Sequence, residues 1–270
     1  MLADWIYSHP IWMVGSIIVG SAMLLSWGGL IVFHVLVPLE VRRAHNDIVG
    51  FTIAIVGVVY AVLLAFIAVA TWETFAKADE IVENEANRLG NLFFDTAGLP
   101  DNATGEFRER LKDYVQTVIN DEWPAEQSGR VNRGSFEKGW NILGQLNVLV
   151  AGYRPGTAGE SVVQEQLMQT LNELFSARRT RLLAAKAQVP EVVWWIIFLG
   201  GAVTVGYTYL FGMHSFKMHL VITATMAASL ALVIVLIVAL DRPFRGEVSV
   251  SSEAFVAVRH MMATNKFQRQ

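Results

Sequence analysis

Six histidines (His9, His34, His45, His214, His219 and His260) are the first residues to weigh for metal or acid–base chemistry. None shares a helix face with a carboxylate at the spacing a metal centre needs. His214 and His219 share a short loop, where they read as a metal- or pH-sensing pair or, more simply, as two interfacial polar residues. Asp79, Glu80, Glu83 and Glu85 stand at helical spacing beside Lys77 and Arg88, which describes a solvated face and not a general acid–base pair. There is no glycine-rich phosphate loop with its lysine. Cysteine is absent, so disulfides, thiolate ligands and cysteine nucleophiles are all excluded. The expectation is a protein that is not an enzyme and that uses no metal and no cofactor.

The remaining candidates lie in an apolar stretch from Ile48 to Trp72. Gly50, Ala54, Gly57, Ala61, Ala65 and Ala68 recur every three or four residues, a continuous seam of small side chains along which another helix can approach closely in lipid. At about 100° per residue, Ile53, Tyr60, Leu64, Ile67 and Thr71 fall together on a neighbouring face that combines apolar bulk with two hydroxyls. Repeated around a symmetry axis, that face would line a narrow, mostly hydrophobic pore that gates by dewetting. Alternatively, Tyr60 and Thr71 hydrogen-bond to an adjacent helix.

These positions need helices long enough to hold them across a bilayer, and the chain has them. Of its 270 residues 53% are hydrophobic and 17% charged, against about a quarter charged in a soluble domain. Four stretches reach the roughly 20 residues that span a hydrocarbon core of about 30 Å. They run from Ile11 to Val37, from Ile48 to Trp72, from after Pro190 to near Phe211, and from Met218 to Leu240. The first is too long for a signal-peptide core, and its flank carries no Lys or Arg, so it reads as a retained span. His34 is the only ionisable candidate in the first span and lies near its loop end, while Glu191 and Asp241 sit at the membrane edges, which disfavours an ion-coupled pump or a voltage sensor.

Charge collects elsewhere. Between Glu73 and Val189 lie 13 of the 21 Lys and Arg and 17 of the 24 acids. Phe75, Ala78, Val82, Ala86, Leu89 and Phe93 carry a helical period straight on from the second span, and further helical patterns follow up to Pro190. The expected fold is an all-α membrane protein: four transmembrane helices with a helical domain inserted between the second and third. Its parts are residues 1–72, 73–189, 190–240 and a tail at 241–270. Basic residues near the spans are denser on the side of the domain, at Lys77, Arg88, Arg178, Arg179, Arg181, Lys186, Arg242 and Arg245, than on the side of Arg42, Arg43 and Lys217. The positive-inside rule then puts both termini and the domain in the cytoplasm. Arg178, Arg179 and Arg181 could meet lipid headgroups, an anion or the acids of the domain. A net charge of −3 gives no reason to expect nucleic acid as a partner.

Across nearly its full length the chain resembles the bacterial bestrophin-like membrane proteins. The likeness is carried by Val37-Pro38-Leu39-Glu40, His45-Asn46-Asp47, Gly50-Phe51, Tyr60 with Leu63, Leu64 and Phe66, then Trp72, Ala78 and Glu85-Ala86. It continues through Asp121-Glu122-Trp123-Pro124, Leu171-Asn172, Ala177-Arg178-Arg179, Gly206-Tyr207-Thr208-Tyr209-Leu210-Phe211-Gly212 and Leu240-Asp241-Arg242-Pro243-Phe244. The resemblance implies a homo-oligomer, pentameric by analogy, in the bacterial inner membrane, passing inorganic anions along its second span. It implies a neck near Tyr60, Leu64 and Ile67, and an anion-attracting mouth at Arg42, Arg43 and His45. Calcium gating is not implied, because the stretch Asp241 to Glu247 is not rich enough in carboxylates to clasp a hard cation. The other reading is a non-conducting membrane scaffold whose helical domain binds a cytoplasmic partner.

Overall fold

The computed structural model describes residues 2–129 and 133–264. Every regular element among them is helical. In chain order they are α1 (Leu2–Tyr7), α2 (Ile11–Leu36), α3 (Leu39–Ala44), α4 (Asn46–Asp95), α5 (Asp101–Thr117), α6 (Trp123–Gln127), α7 (Arg133–Gly152), α8 (Ala158–Ala184), α9 (Glu191–Tyr209), α10 (Phe216–Leu240) and α11 (Glu253–Thr264). A 3-10 turn at Thr96–Gly98 follows α4, and a π turn at Val118–Glu122 joins α5 to α6. Four helices, α2, α4, α9 and α10, are long and apolar enough to cross a membrane.

Prolines and side-chain caps set the helix ends. Val37, before Pro38, is extended (φ −119°, ψ 117°), because the proline ring forbids the helical conformation to its predecessor. Pro190 opens α9 in the same extended way. Ser215 caps α10, accepting from the Met218 N–H at 3.3 Å. At α8, Thr157 accepts from the Glu160 N–H at 3.2 Å, and the Glu160 carboxylate reaches back to the Gly156 N–H at 2.8 Å, a capping box displaced by one residue. Nothing interrupts α4 over its 50 residues. It contains no proline, and its apolar period changes into an amphipathic one without a break.

The chain divides into two compact units. The first takes the chain up to Thr74, with Gln188–Asp241 and Gly246–Val248; the second takes Phe75–Ala187, Arg242–Arg245 and the chain from Ser249 onward. In the first unit α2 packs along α10 and α9, and α10 also packs on α9. Small residues let them close: a Cβ at Gly29 would lie 2.5 Å from the Tyr209 hydroxyl. Asp241, at the end of α10, accepts from the Tyr7 hydroxyl at 2.9 Å and the Val189 N–H at 2.6 Å.

The second unit has one core. Leu89, Leu92 and Phe93 of α4 meet Leu111 and Val115 of α5, Leu143 and Leu146 of α7, and Leu167, Leu171 and Leu174 of α8. Phe244, Val250, Phe255 and Met262, from the chain after α10, complete it.

Candidate functional site

The second span, the part of α4 within the first unit, has three distinct faces. Tyr60, Leu64 and Thr71 are buried, and Ile53 and Ile67 are half-buried. Tyr60 donates to the Ile197 carbonyl of α9 at 2.5 Å, and its ring occupies the space that a Cβ at Gly200 would need. Tyr60 and Leu64 cluster with Ile197 of α9 and Ile237 of α10. Thr71 donates back to the Ile67 carbonyl at 2.8 Å, within its own helix. The face expected to line a pore is therefore the one that α4 turns inward within a single chain. The physical reason is the Tyr60 hydroxyl, which needs a partner in an apolar surrounding and finds the α9 backbone.

The small-residue seam lies beside that face. Ala54, Ala61 and Ala65 are exposed, and Gly50, Gly57 and Ala68 are half-buried. Space for another helix is open at Gly57, where no atom stands within 4 Å of a built Cβ; at Gly50 the nearest is the Phe211 ring at 3.9 Å. Opposite the inward face runs a bulky apolar strip: Phe51, Ile55, Val58, Val62, Phe66 and Val69, all exposed in the single chain. Its spacing of three, four and seven was present in the sequence. In a helix apolar all round, however, period alone does not say which side turns inward.

The three basic residues expected at one mouth are placed unequally. Arg42 is buried, with Nη2 2.6 Å from His34 Nδ1 and Nη1 donating to the Tyr209 carbonyl at 3.5 Å. Its Nε is buried without a hydrogen-bond partner. Burial holds its pKa below the usual arginine value. Arg43 and His45 are exposed, and His45 Nδ1 lies 2.7 Å from the Val41 carbonyl. Asn46, the first residue of α4, clasps Gly212: its Oδ1 accepts from the Gly212 N–H at 2.8 Å, and its Nδ2 donates to the Gly212 carbonyl at 3.4 Å. His214 is exposed, whereas His219 is buried with Nε2 2.7 Å from the Thr208 carbonyl. Among the described residues no group of three or more metal-ligating side chains comes together.

A second constellation, in the other unit, escaped the sequence reading. Arg178 and Arg181 of α8, Glu85 of α4, Glu122 of the π turn and Glu126 of α6 are all fully buried. Arg178 grips Glu122 with two parallel bonds of 2.7 Å and donates to the Phe136 carbonyl at 3.0 Å. Arg181 binds Glu85 through Nε at 2.7 Å, Glu122 through Nη2 at 2.8 Å and Glu126 through Nη1. The Tyr114 hydroxyl donates to Glu85 at 2.6 Å. The choice left open for the arginines resolves, for Arg178 and Arg181, toward the acids of the domain, while Arg179 is exposed. Glu85 is not on the solvated face with Asp79, Glu80 and Glu83, which are exposed. The signal was there: Glu85 sits on the apolar stripe of Ala78, Val82 and Leu89, and Arg178 and Arg181 sit on that of Leu171 and Leu174.

Comparison with known proteins gives the same affiliation. A bestrophin-like domain model matches residues 20–255, most of the chain. No curated protein matches it significantly. Crystal structures of a bacterial bestrophin homologue from Klebsiella pneumoniae share the fold. One, phased on zinc, is 13% identical with a TM-score of 0.65, covering 89% of this chain and 96% of that one. Two single-substitution forms score 0.65 and 0.66 at 13% and 12% identity, each covering at least 90% of this chain and 97% of theirs. With four apolar helices of membrane-spanning length and a family model over most of its residues, the chain belongs to the bestrophin-like family of membrane proteins.

Proposed function

We propose that the chain forms a homo-oligomeric channel that passes inorganic anions passively along its second span. The observation that carries this reading is the division of α4 into an inward face anchored by Tyr60 and an outward apolar strip from Phe51 to Val69. A helix held to its own chain on one side, with a small-residue seam beside that side, is suited to meet copies of itself around an axis. Ile53, Tyr60, Leu64, Ile67 and Thr71 then act behind the path, fixing the rotation of the helix. Val58, Val62 and Phe66, one turn apart, supply the constriction, a hydrophobic girdle that ions cross only when it is wetted. Exposed Arg43 and His45 raise the local anion concentration at one mouth, and buried Arg42 holds that mouth together. In this reading the inserted domain and both termini lie on the cytoplasmic face of a bacterial inner membrane, supported by the denser basic residues near the spans on the side of the domain.

Purified protein in planar bilayers tests this. We expect a conductance whose reversal potential in asymmetric KCl follows chloride, and that Phe66→Ala enlarges while Tyr60→Phe leaves its selectivity unchanged. A reversal potential that follows potassium would remove the anion assignment. Silence at every pH and anion tested would favour the scaffold reading.

A further inference from the structure

The buried charge cluster does not balance. Three carboxylates, Glu85, Glu122 and Glu126, face two guanidiniums, Arg178 and Arg181, with no solvent at any of them. Glu85 and Glu122 have hydrogen bonds at both oxygens. Glu126 does not: Oε1 meets Arg181, while Oε2 is buried with no partner. A buried ionised oxygen without a donor is costly, and a proton on Glu126 removes both that cost and the excess negative charge.

The surroundings of Glu126 connect it to the chain after α10. Trp123, one turn before it, packs its ring on Phe244 at 5.7 Å and on Phe255 of α11 at 6.1 Å. The Arg181 guanidinium lies over the Phe255 ring at 5.7 Å. The turn that ends α6 needs the left-handed backbone of Gly129 (φ 71°), and a Cβ there would stand 2.7 Å from the Arg245 guanidinium. We propose that Glu126 is a proton-binding site whose occupancy sets how firmly the 242–245 segment and α11 dock on the domain.

The charged groups facing it are known from each side. They are Arg178 and Arg181 from α8, Glu85 from α4, Glu122 from the π turn and Tyr114 from α5. Arg245 borders the turn, and Arg242 is half-buried on the same segment. On α7, Lys138 is engaged at the surface with Asp121 at 2.7 Å; on α11, Glu253, Arg259 and His260 are exposed. Burial, offset only partly by Arg181, pushes the Glu126 carboxyl up to about 7 from 4.5. Its folded value is raised, so docking is firmest below 4.5 and weakens as pH climbs through about 7, with no further change above.

Hydrogen exchange on the full chain in lipid nanodiscs, from pH 5.5 to 8.5 and corrected for intrinsic rates, reads this without any reference to conduction. Protection of α11 amides should fall by about tenfold per pH unit up to neutrality and then level off. In Glu126→Gln, which mimics the protonated form, it should stay flat and high. A flat profile in the unaltered chain, or the same slope in Glu126→Gln, overturns the proposal. If Glu126→Gln does not assemble, infrared difference spectra of the unaltered chain decide. Loss of a buried protonated carboxyl band between pH 6 and pH 8 supports the site, and its absence at pH 6 overturns it.

Discussion

At Gly139 a single hydrogen atom keeps α7 clear of the buried ions. A Cβ there would collide with Glu122 Oε1 and stand 2.5 Å from Arg178 Nη2. Neither group can retreat, because each is locked into the other by two bonds. Gly139→Ala should therefore cost about 1–3 kcal/mol or more in denaturant unfolding of the full chain. Gly144, five residues further along α7, has no atom within 4 Å of its built Cβ. Gly144→Ala should instead stabilise the chain by roughly 0.5–1 kcal/mol, through helix propensity alone. Nothing in the sequence distinguishes the two glycines. Their difference arises from an arginine about 40 positions away in the chain, and long-range contacts of that kind leave no local pattern.

Among elements, α4 shows where sequence reading succeeds and where it stops. Its length, its lack of breakers and the switch from uniform to one-sided apolarity were all legible, because lipid and water impose different patterns on one helix. The inward direction of its membrane part was not legible, since valines and alanines surround the axis on every side. The Thr52 and Thr71 hydroxyls bond back within α4, whereas that of Tyr60 reaches another helix, and its partner is a backbone carbonyl, which every residue of α9 has. In Tyr60→Phe the Ile197 carbonyl keeps its intrahelical bond, so the loss should be modest, about 0.5–1.5 kcal/mol by thermal unfolding in detergent. Gly200 and Gly201, which leave room for the ring, were a signal in the sequence that periodicity alone passes over. The π turn at Val118–Glu122 was likewise invisible: its extra residue per turn aims Glu122 and Trp123 inward together.

For the whole molecule, the exposed apolar strip and seam of α4 set a clear expectation. The chain should purify in mild detergent as a homo-oligomer, a multiple of 29.9 kDa by light scattering with the detergent mass subtracted. A multiple of five matches the pentamer, and a mass of one chain would remove the proposed path altogether. The apolar helices were legible in the sequence, since composition alone marks them. Composition did not reveal that five charges lie in the dry core of the second unit.

Those five charges also bear on the order in which the chain can fold. The acids at 85, 122 and 126 leave the ribosome well before Arg181, which lies 96 residues after Glu85 and 55 after Glu126. Until it emerges, α4, α5 and α6 would have to bring three carboxylates together with nothing to neutralise them. Closure around the cluster is thus held back until α8 has been made, and the cluster acts as a timing check on synthesis: α4, α5 and α6 wait for α8.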